Sequence, residues 1–584
     1  MIRATVVVVL VWMSTSACMS EQHEARAREA PAHAPSTSSS VPTTQPPARR
    51  VAEDMRRAIG ARLKGAPPAT VTPEQWRLVR ILYERTTSLP VWLDTAGDDR
   101  RARALVQELA IAPSHGLVVD AARVDTLHAA LVPVWGAGAA SAEHVADAEV
   151  LLSAAFVALA QDLLGGQLDP RAATRGWHIA PRRGEIDSMI VQRALSASSD
   201  TAFASLAPDD PVYASLRDQL ASYREIVARG GWGTVPAGPA LRNGSRGDTL
   251  RLHALAKRLA REGYLSDSAW TGETYDSRLA EAVSRYQSHH AMNVDGVLSA
   301  PTVKALNVPA TYRVGQIAAN LERIRWLPRA MRARHLIVNV PSFRLLMREG
   351  ARTVSSMKVV VGAEFQNRAT PVFADSMSYV VFQPYWNVTP TIGANEIVPK
   401  ASRDAGYLAR NDYEVVRGDG DDAPVVSGAQ LTSAAVRAGR VRIRQRPGKL
   451  NALGHAKFIF PNSYNIYLHD TPQRALFDRD VRAFSHGCIR VQRPDELAAW
   501  VLGWDSTRVA AAMSGARPNQ YAPLARKLPV FILYLTAFMR DGELYFGNDL
   551  YARDADLVHA IDRGALPDTR TRTALDRLAQ LANR

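Results

Sequence analysis

The hydrophobic pattern of this chain changes period once, close to His335. Upstream, apolar residues recur every three or four positions, as in Glu74-Gln75-Trp76-Arg77-Leu78-Val79-Arg80-Ile81-Leu82-Tyr83 and from Leu151 to Leu164. That spacing predicts amphipathic helices. Downstream, β-branched and alternating runs take over: Leu336-Ile337-Val338-Asn339-Val340, Phe343-Arg344-Leu345-Leu346, Met357-Lys358-Val359-Val360-Val361 and Ser378-Tyr379-Val380-Val381-Phe382. Short strands punctuated by Gly and Pro argue for a mostly antiparallel sheet. A chain of 584 residues exceeds what one core supports. The expected fold class is therefore multidomain α+β.

Punctuation divides the chain further. Residues 51–235 read as an all-α scaffold domain, and the Pro- and Gly-rich stretch Pro236 to Gly247 as a linker. Residues 248–309 form a compact three-helix unit: a helix from Leu250 to Glu262 stopped by Gly263, a second from Ser277 to His289, and a third begun by Ser299 and Pro301. The β domain is expected over 330–550, with Phe531 to Leu535 and Leu544 to Phe546 as late strands. Its polar, irregular stretch of about 399–446 reads as an inserted capping subdomain, and 551–584 as a peripheral helical tail.

The first residues have a different character. Arg3 precedes an apolar run from Ala4 to Met13, too short for a bilayer span of roughly 20 residues but right for a signal-peptide core. Residues 1–18 are read as an export signal. Ser14-Thr15-Ser16-Ala17 before Cys18 resembles a lipoprotein cleavage box, with Thr15 where leucine is usual. Lipidation of Cys18 and plain cleavage after Ala17 both stay open. Residues 19–50 lack large apolar side chains and read as a disordered tether.

Cys18 and Cys488 are the only two cysteines, so the exported body carries one thiol and no internal disulfide. A lone thiol in an oxidising compartment calls for a reason. Its surroundings supply one: Tyr467-Leu468-His469-Asp470-Thr471-Pro472 followed by Phe484-Ser485-His486-Gly487-Cys488-Ile489-Arg490-Val491. A cysteine nucleophile needs an imidazole to take its proton and amide donors for the oxyanion. Gly487 lets backbone approach a reacting carbonyl, and Arg490 can pair with a substrate carboxylate. His486 and His469, the latter nineteen positions upstream of the cysteine, both qualify as base from spacing alone.

This segment resembles the signature of the L,D-transpeptidase catalytic family, a histidine followed at short interval by Ser-His-Gly-Cys and Arg or Asn. The resemblance implies Cys488 as nucleophile, His469 as base, Ser485, His486 and Gly487 as the motif around the oxyanion, and Arg490 as a substrate-orienting residue. It also implies a backbone carbonyl, rather than Asp470, as the partner that orients His469. Arg444 to Gly448, Asn451 to Gly454 and Phe458 to Asn462 are similar to the large multidomain proteobacterial branch, which joins a helical scaffold, a peptidoglycan-binding module and a capped β domain. Ala282 to Gln287, Asn293 to Leu298 and Thr302 to Leu306 resemble the peptidoglycan-binding module itself. Tyr467, two residues from His469 on one strand face, and Trp386, in the aromatic run Phe382 to Val388, are candidate substrate contacts.

The expected reaction is cysteine acyl transfer on the peptidoglycan stem tetrapeptide, giving 3→3 cross-links, with carbapenems acylating the same thiol. Hydrolysis of the same thioester, attachment or release of a wall-bound lipoprotein, and a non-catalytic wall-binding role are the alternatives. Partners are stem peptides and glycan, and a membrane anchor if Cys18 is lipidated; the location is the periplasm or cell envelope. The histidines show no ligand spacing, so neither metal nor other cofactor is expected. The formal charge of +14 comes largely from arginines scattered among Asp and Glu, which reads as a solvated surface and not as a nucleic-acid site.

Overall fold

The computed structural model describes residues 47–584 except 95–98, 138–139, 197–201, 204–205, 267–269, 271, 330–332, 365–367 and 421. The export signal, Cys18 and the tether up to residue 46 lie outside the described residues. The helical region begins with Pro47–Lys64 and Pro73–Arg85. Thr72 starts the second of these with a capping box: its hydroxyl accepts from Gln75 N while Gln75 returns a bond to the Thr72 amide. The long apolar helix Ala142–Gly165 runs through the middle of this bundle and buries most of its residues.

The compact unit has helices Thr249–Arg261, Ser277–His289 and Ala300–Leu306, capped by Asp248, Asp276 and Ser299. The expected linker before it is folded onto it. Arg251 gathers the carbonyls of Pro236 (3.0 Å) and Pro239 (2.6 Å), and Ser245–Arg246 pairs with Thr274–Tyr275. A guanidinium satisfying several carbonyls can order a stretch that its Pro and Gly content alone would leave loose.

Nine strands build the main sheet: β1 (Arg334–Asn339), β2 (Arg344–Glu349), β3 (Arg352–Gly362), β4 (Phe373–Phe382), β5 (Ala456–Ile459), β6 (Leu468–His469), β7 (Ala483–Ser485), β8 (Ile489–Val491) and β9 (Gln520–Leu533). Their order is β7-β3-β8-β6-β5-β4-β9-β1-β2, and β2 also pairs with β3. Eight strands thus close on themselves, with β7 added beside β3. The pairs β6–β8, β3–β7 and β1–β9 are parallel and the others antiparallel, giving a mixed sheet.

The inserted unit starts upstream of the expected residue 399. Trp386–Asn387 joins Arg442–Gln445 and Tyr413–Val416 in a three-stranded sheet, and the helical stretch from Pro390 packs Ala394, Ile397 and Val398 into that sheet's own core. The tail is not peripheral. Helix Thr569–Ala582 contributes Ala574, Leu575, Leu578 and Leu581 to the core of the N-terminal bundle. Helix Ala310–Arg325 is buried nearly throughout and ties the parts together: Arg323 pairs with Asp554 (2.6 Å), Asn320 binds Thr536 (2.9 Å), and Glu322 accepts from Leu168 N (2.9 Å). The barrel's core accordingly includes Trp177, Tyr213, Leu216 and Leu220 from the helical region.

Candidate functional site

Cys488 closes a tight turn between β7 and β8. The Ser485 hydroxyl holds that turn, accepting from the Gly487 amide (3.1 Å) and donating to the Cys488 carbonyl (2.5 Å). Gly487 has φ +117, a conformation open to glycine, and an added Cβ would sit 3.1 Å from Ile466 Cδ1. Its carbonyl accepts from the Thr370 hydroxyl (2.8 Å), which in turn accepts from the Gly362 amide (2.9 Å).

Strand register decides what faces the sulfur. In the parallel pair β6–β8, Leu468 lies opposite Ile489 and His469 opposite Arg490, and the Ile489 amide donates to the Tyr467 carbonyl (3.0 Å). Side chains alternate along a strand and paired residues share a face, so Tyr467, His469, Cys488 and Arg490 lie on one face. The antiparallel pair β5–β6 adds Lys457 opposite His469, and its ammonium lies 4.0 Å over the Tyr467 ring. The Tyr467 and His469 rings meet edge-on at 5.8 Å. The Cys488 sulfur donates to the Asn465 carbonyl (3.6 Å).

His469 is buried, and its Nδ1 lies 2.5 Å from the Asp470 carbonyl oxygen. A carbonyl can only accept, so Nδ1 carries the proton and Nε2 presents a lone pair. Burial, with the positive charges of Arg490 and Lys457 nearby, drives the imidazole pKa down to about 3. Burial also pushes the Cys488 thiol up, against the bond from Tyr467 and the charges of Lys457 and Arg490. At rest the two groups are therefore neutral thiol and neutral imidazole, not thiolate and imidazolium.

The second histidine is occupied elsewhere. His486 Nε2 bonds Glu396 of the inserted unit (2.6 Å), and Arg368 bonds the same carboxylate (2.8 Å). Burial acts to raise the Glu396 carboxyl, but the His486 contact and the charges of Arg368 and Lys400 hold it below its usual range. The Asp470 carboxylate is turned away from the imidazole, accepting from the His455 amide (2.9 Å) and from Arg474 (3.1 Å). Arg490 bonds Gln473 (2.5 Å). Trp386 belongs to the inserted unit, packed beside its core with its ring 6.2 Å from that of Tyr413. Among the described residues no bond or ring contact joins it to Cys488 or His469.

Lys457, Thr370, Glu396 and Arg368 escaped the sequence reading. Lys457 carried a faint signal, a single lysine inside the apolar strand Ala456–Ile459. Arg368 and Thr370 come from the loop before β4, and Glu396 from the helical stretch of the inserted unit. Among the described residues, no group of three His, Cys, Asp or Glu side chains is arranged to hold a metal.

Comparison with known proteins matches three stretches of this architecture. Residues 333–524 match the L,D-transpeptidase catalytic domain, 77–220 a scaffold domain and 251–306 a peptidoglycan-binding domain. A Haemophilus influenzae protein whose name places it among the L,D-transpeptidases is 33% identical over 261 residues, 44% of this chain. The match spans 50% of that relative's own length. A solved L,D-transpeptidase fragment from Xylanimonas cellulosilytica aligns over 51% of this chain and 99% of its own at 16% identity, with a TM-score of 0.17, too low to carry weight.

Proposed function

We propose that this chain, which carries an L,D-transpeptidase catalytic domain together with a peptidoglycan-binding domain, cross-links peptidoglycan through a thioester on Cys488. What supports this reading is one feature above all. An imidazole locked in the Nδ1–H tautomer shares a sheet face with the chain's sole described thiol, so Nε2 can serve as base.

In this reading, Nε2 of His469 takes the thiol proton while the sulfur attacks the amide between the third residue and D-Ala of a stem tetrapeptide. The Gly487 amide is already engaged by Ser485, so the oxyanion is assigned to the Cys488 amide, a donor type worth roughly 3–4 kcal/mol. Collapse breaks the C–N bond; the imidazolium returns its proton to the nitrogen, D-Ala leaves and a thioester remains. An amine of a second stem, deprotonated by Nε2, then displaces the sulfur and forms the 3→3 cross-link. Since both groups rest neutral, the proton moves as the C–S bond forms. A substrate carboxylate against Arg490 would offset one of the charges that depress the imidazole. Carbapenems would acylate the same sulfur. The residues proposed to act outside this pair are Tyr467 and Arg490, beside the sulfur, with Ser485 and His486 shaping the turn. An export signal and an envelope location belong to the same proposal.

Mass spectrometry of the intact protein after meropenem treatment should show one adduct that disappears in Cys488→Ala. Muropeptide chromatography of treated sacculi should show new dimers joined through two third-position residues. Shortened stems without dimers would make the enzyme a hydrolase, and no adduct would remove Cys488 as nucleophile.

A further inference from the structure

The outer face of the barrel breaks the usual rule for a solvated strand face. On β1 and β2 the inward residues are Leu336, Val338, Leu345 and Met347, all buried in the core. The opposite face should be polar, yet Ile337 and Leu346 stand there directly paired, and Leu535 and Phe538 continue the apolar strip. A cavity of about 470 Å³ opens over this strip, between β1, β2, the end of β9, the hairpin Ala537–Phe546 and the segments 208–212 and 324–329. Its size falls within that of small-molecule sites, roughly 300–1,000 Å³. In sheet order its strands lie three or four places from β6 in either direction, so it is separate from the cysteine centre.

Its lining carries a positive excess. Arg329, Arg344, Arg348 and Arg540 line it. Arg329 bonds the carbonyls of Leu163 and Leu206, Arg344 the Ser356 hydroxyl and Arg348 the Thr353 hydroxyl, so their hydrogen bonds go to neutral groups, with the Asp541 charge near Arg344. Arg540 has Asp541 only at 4.0 Å. Two carboxylates also line the cavity. Asp210 caps the helix Pro211–Ala228 through the Val212 amide (2.8 Å), and Asp209 lies near Arg329. Among the described residues, four cations against Asp209, Asp210 and the adjacent Asp541 around an apolar floor leave a net attraction for negative charge.

We infer that this cavity binds a small anionic amphiphile, with an alkyl chain on Ile337, Leu346, Leu535 and Phe538 and a carboxylate or phosphate head held by Arg344 and Arg348. Fatty carboxylates and lipid phosphates share this chemistry. Forked guanidinium donors suit either head group.

The test is calorimetric titration of the full chain at low salt with dodecanoate, dodecyl phosphate and dodecyltrimethylammonium, each below its micellar range. The two anions should bind at least about tenfold more tightly than the cation, as one or two charge-assisted bonds imply. The stronger anion identifies the head group. The double variant Arg344→Gln/Arg348→Gln should weaken the anions by a similar factor while meropenem labelling of Cys488 stays unchanged. Equal binding of the cation, no binding of either anion, or full anion affinity in the double variant would each overturn the inference. The first two outcomes need no variant to fold.

Discussion

At the level of single residues, the two catalytic candidates have their protons where a resting enzyme would keep them. A pre-formed thiolate would alkylate readily at neutral pH; a half-buried thiol with a raised pKa would not. Iodoacetamide labelling of Cys488 should therefore rise only above the ordinary cysteine titration range, with no plateau at low pH. A plateau near neutrality would mean the ion pair already exists. Burial of His469 also has a signature in stability. Its folded pKa of about 3 lies below the free value of 6.5, so between these limits the unfolded chain binds more protons. Stability is full above pH 6.5 and falls as pH drops toward 3, by up to about 1.4 kcal/mol per pH unit for this one group. His115, also held to about 3 by burial with Arg217 and Arg325 nearby, adds a second such slope. Denaturant midpoints between pH 6.5 and 4.5 should fall less steeply in His469→Gln, and the same variant should lose transpeptidation. The motif Ser485 to Cys488 stood out because it is contiguous in the chain, whereas spacing left His469 and His486 both open as base and only the family resemblance favoured His469. Lys457, Thr370 and Glu396 were not legible, because register and loop closure bring them in from distant positions.

Among the elements, the turn before β8 depends on a hydroxyl from the loop that precedes β4. Thr370 joins Gly487 to Gly362, while the Tyr551 hydroxyl donates to the Gly362 carbonyl (2.7 Å) and accepts from the Thr370 amide (3.2 Å). Thr370→Val keeps the volume but leaves a buried carbonyl and amide unpaired, costing about 1–3 kcal/mol. Its turnover should drop while Cys488 remains labelled by meropenem, read by comparing kcat with the labelled fraction. Gly487→Ala must hold φ +117 and approach Ile466, so it should cost about 1–3 kcal/mol and most of the activity. Element by element, the period switch at His335 located the helices and the strands β1 to β4. The first part of β9, Gln520 to Leu528, was illegible: Gln520, Pro523, Arg526 and Lys527 hide a strand that the pairing with β4 imposes. The onset of the inserted unit was missed for the same reason, since Trp386–Asn387 is a strand only by virtue of its partner Arg442–Gln445.

Across the whole molecule, the helical region and the barrel share side chains in one core, and the last helix completes the first bundle. Leu578 is fully buried there, and Leu578→Ala should lower stability by about 2–5 kcal/mol, seen as an earlier thermal transition of the bundle. Arg577 and Asp125 (2.5 Å), and Arg103 with the Ala582 carbonyl, fasten the same junction. That junction sets an order of events during biosynthesis. A ribosome delivers the bundle's opening helices hundreds of residues before the segment that seals them, so those helices must wait with an open apolar seam. A premature stop codon anywhere upstream of Thr569 would leave that seam exposed for good, turning a lesion at one end of the gene into aggregation that begins at the other.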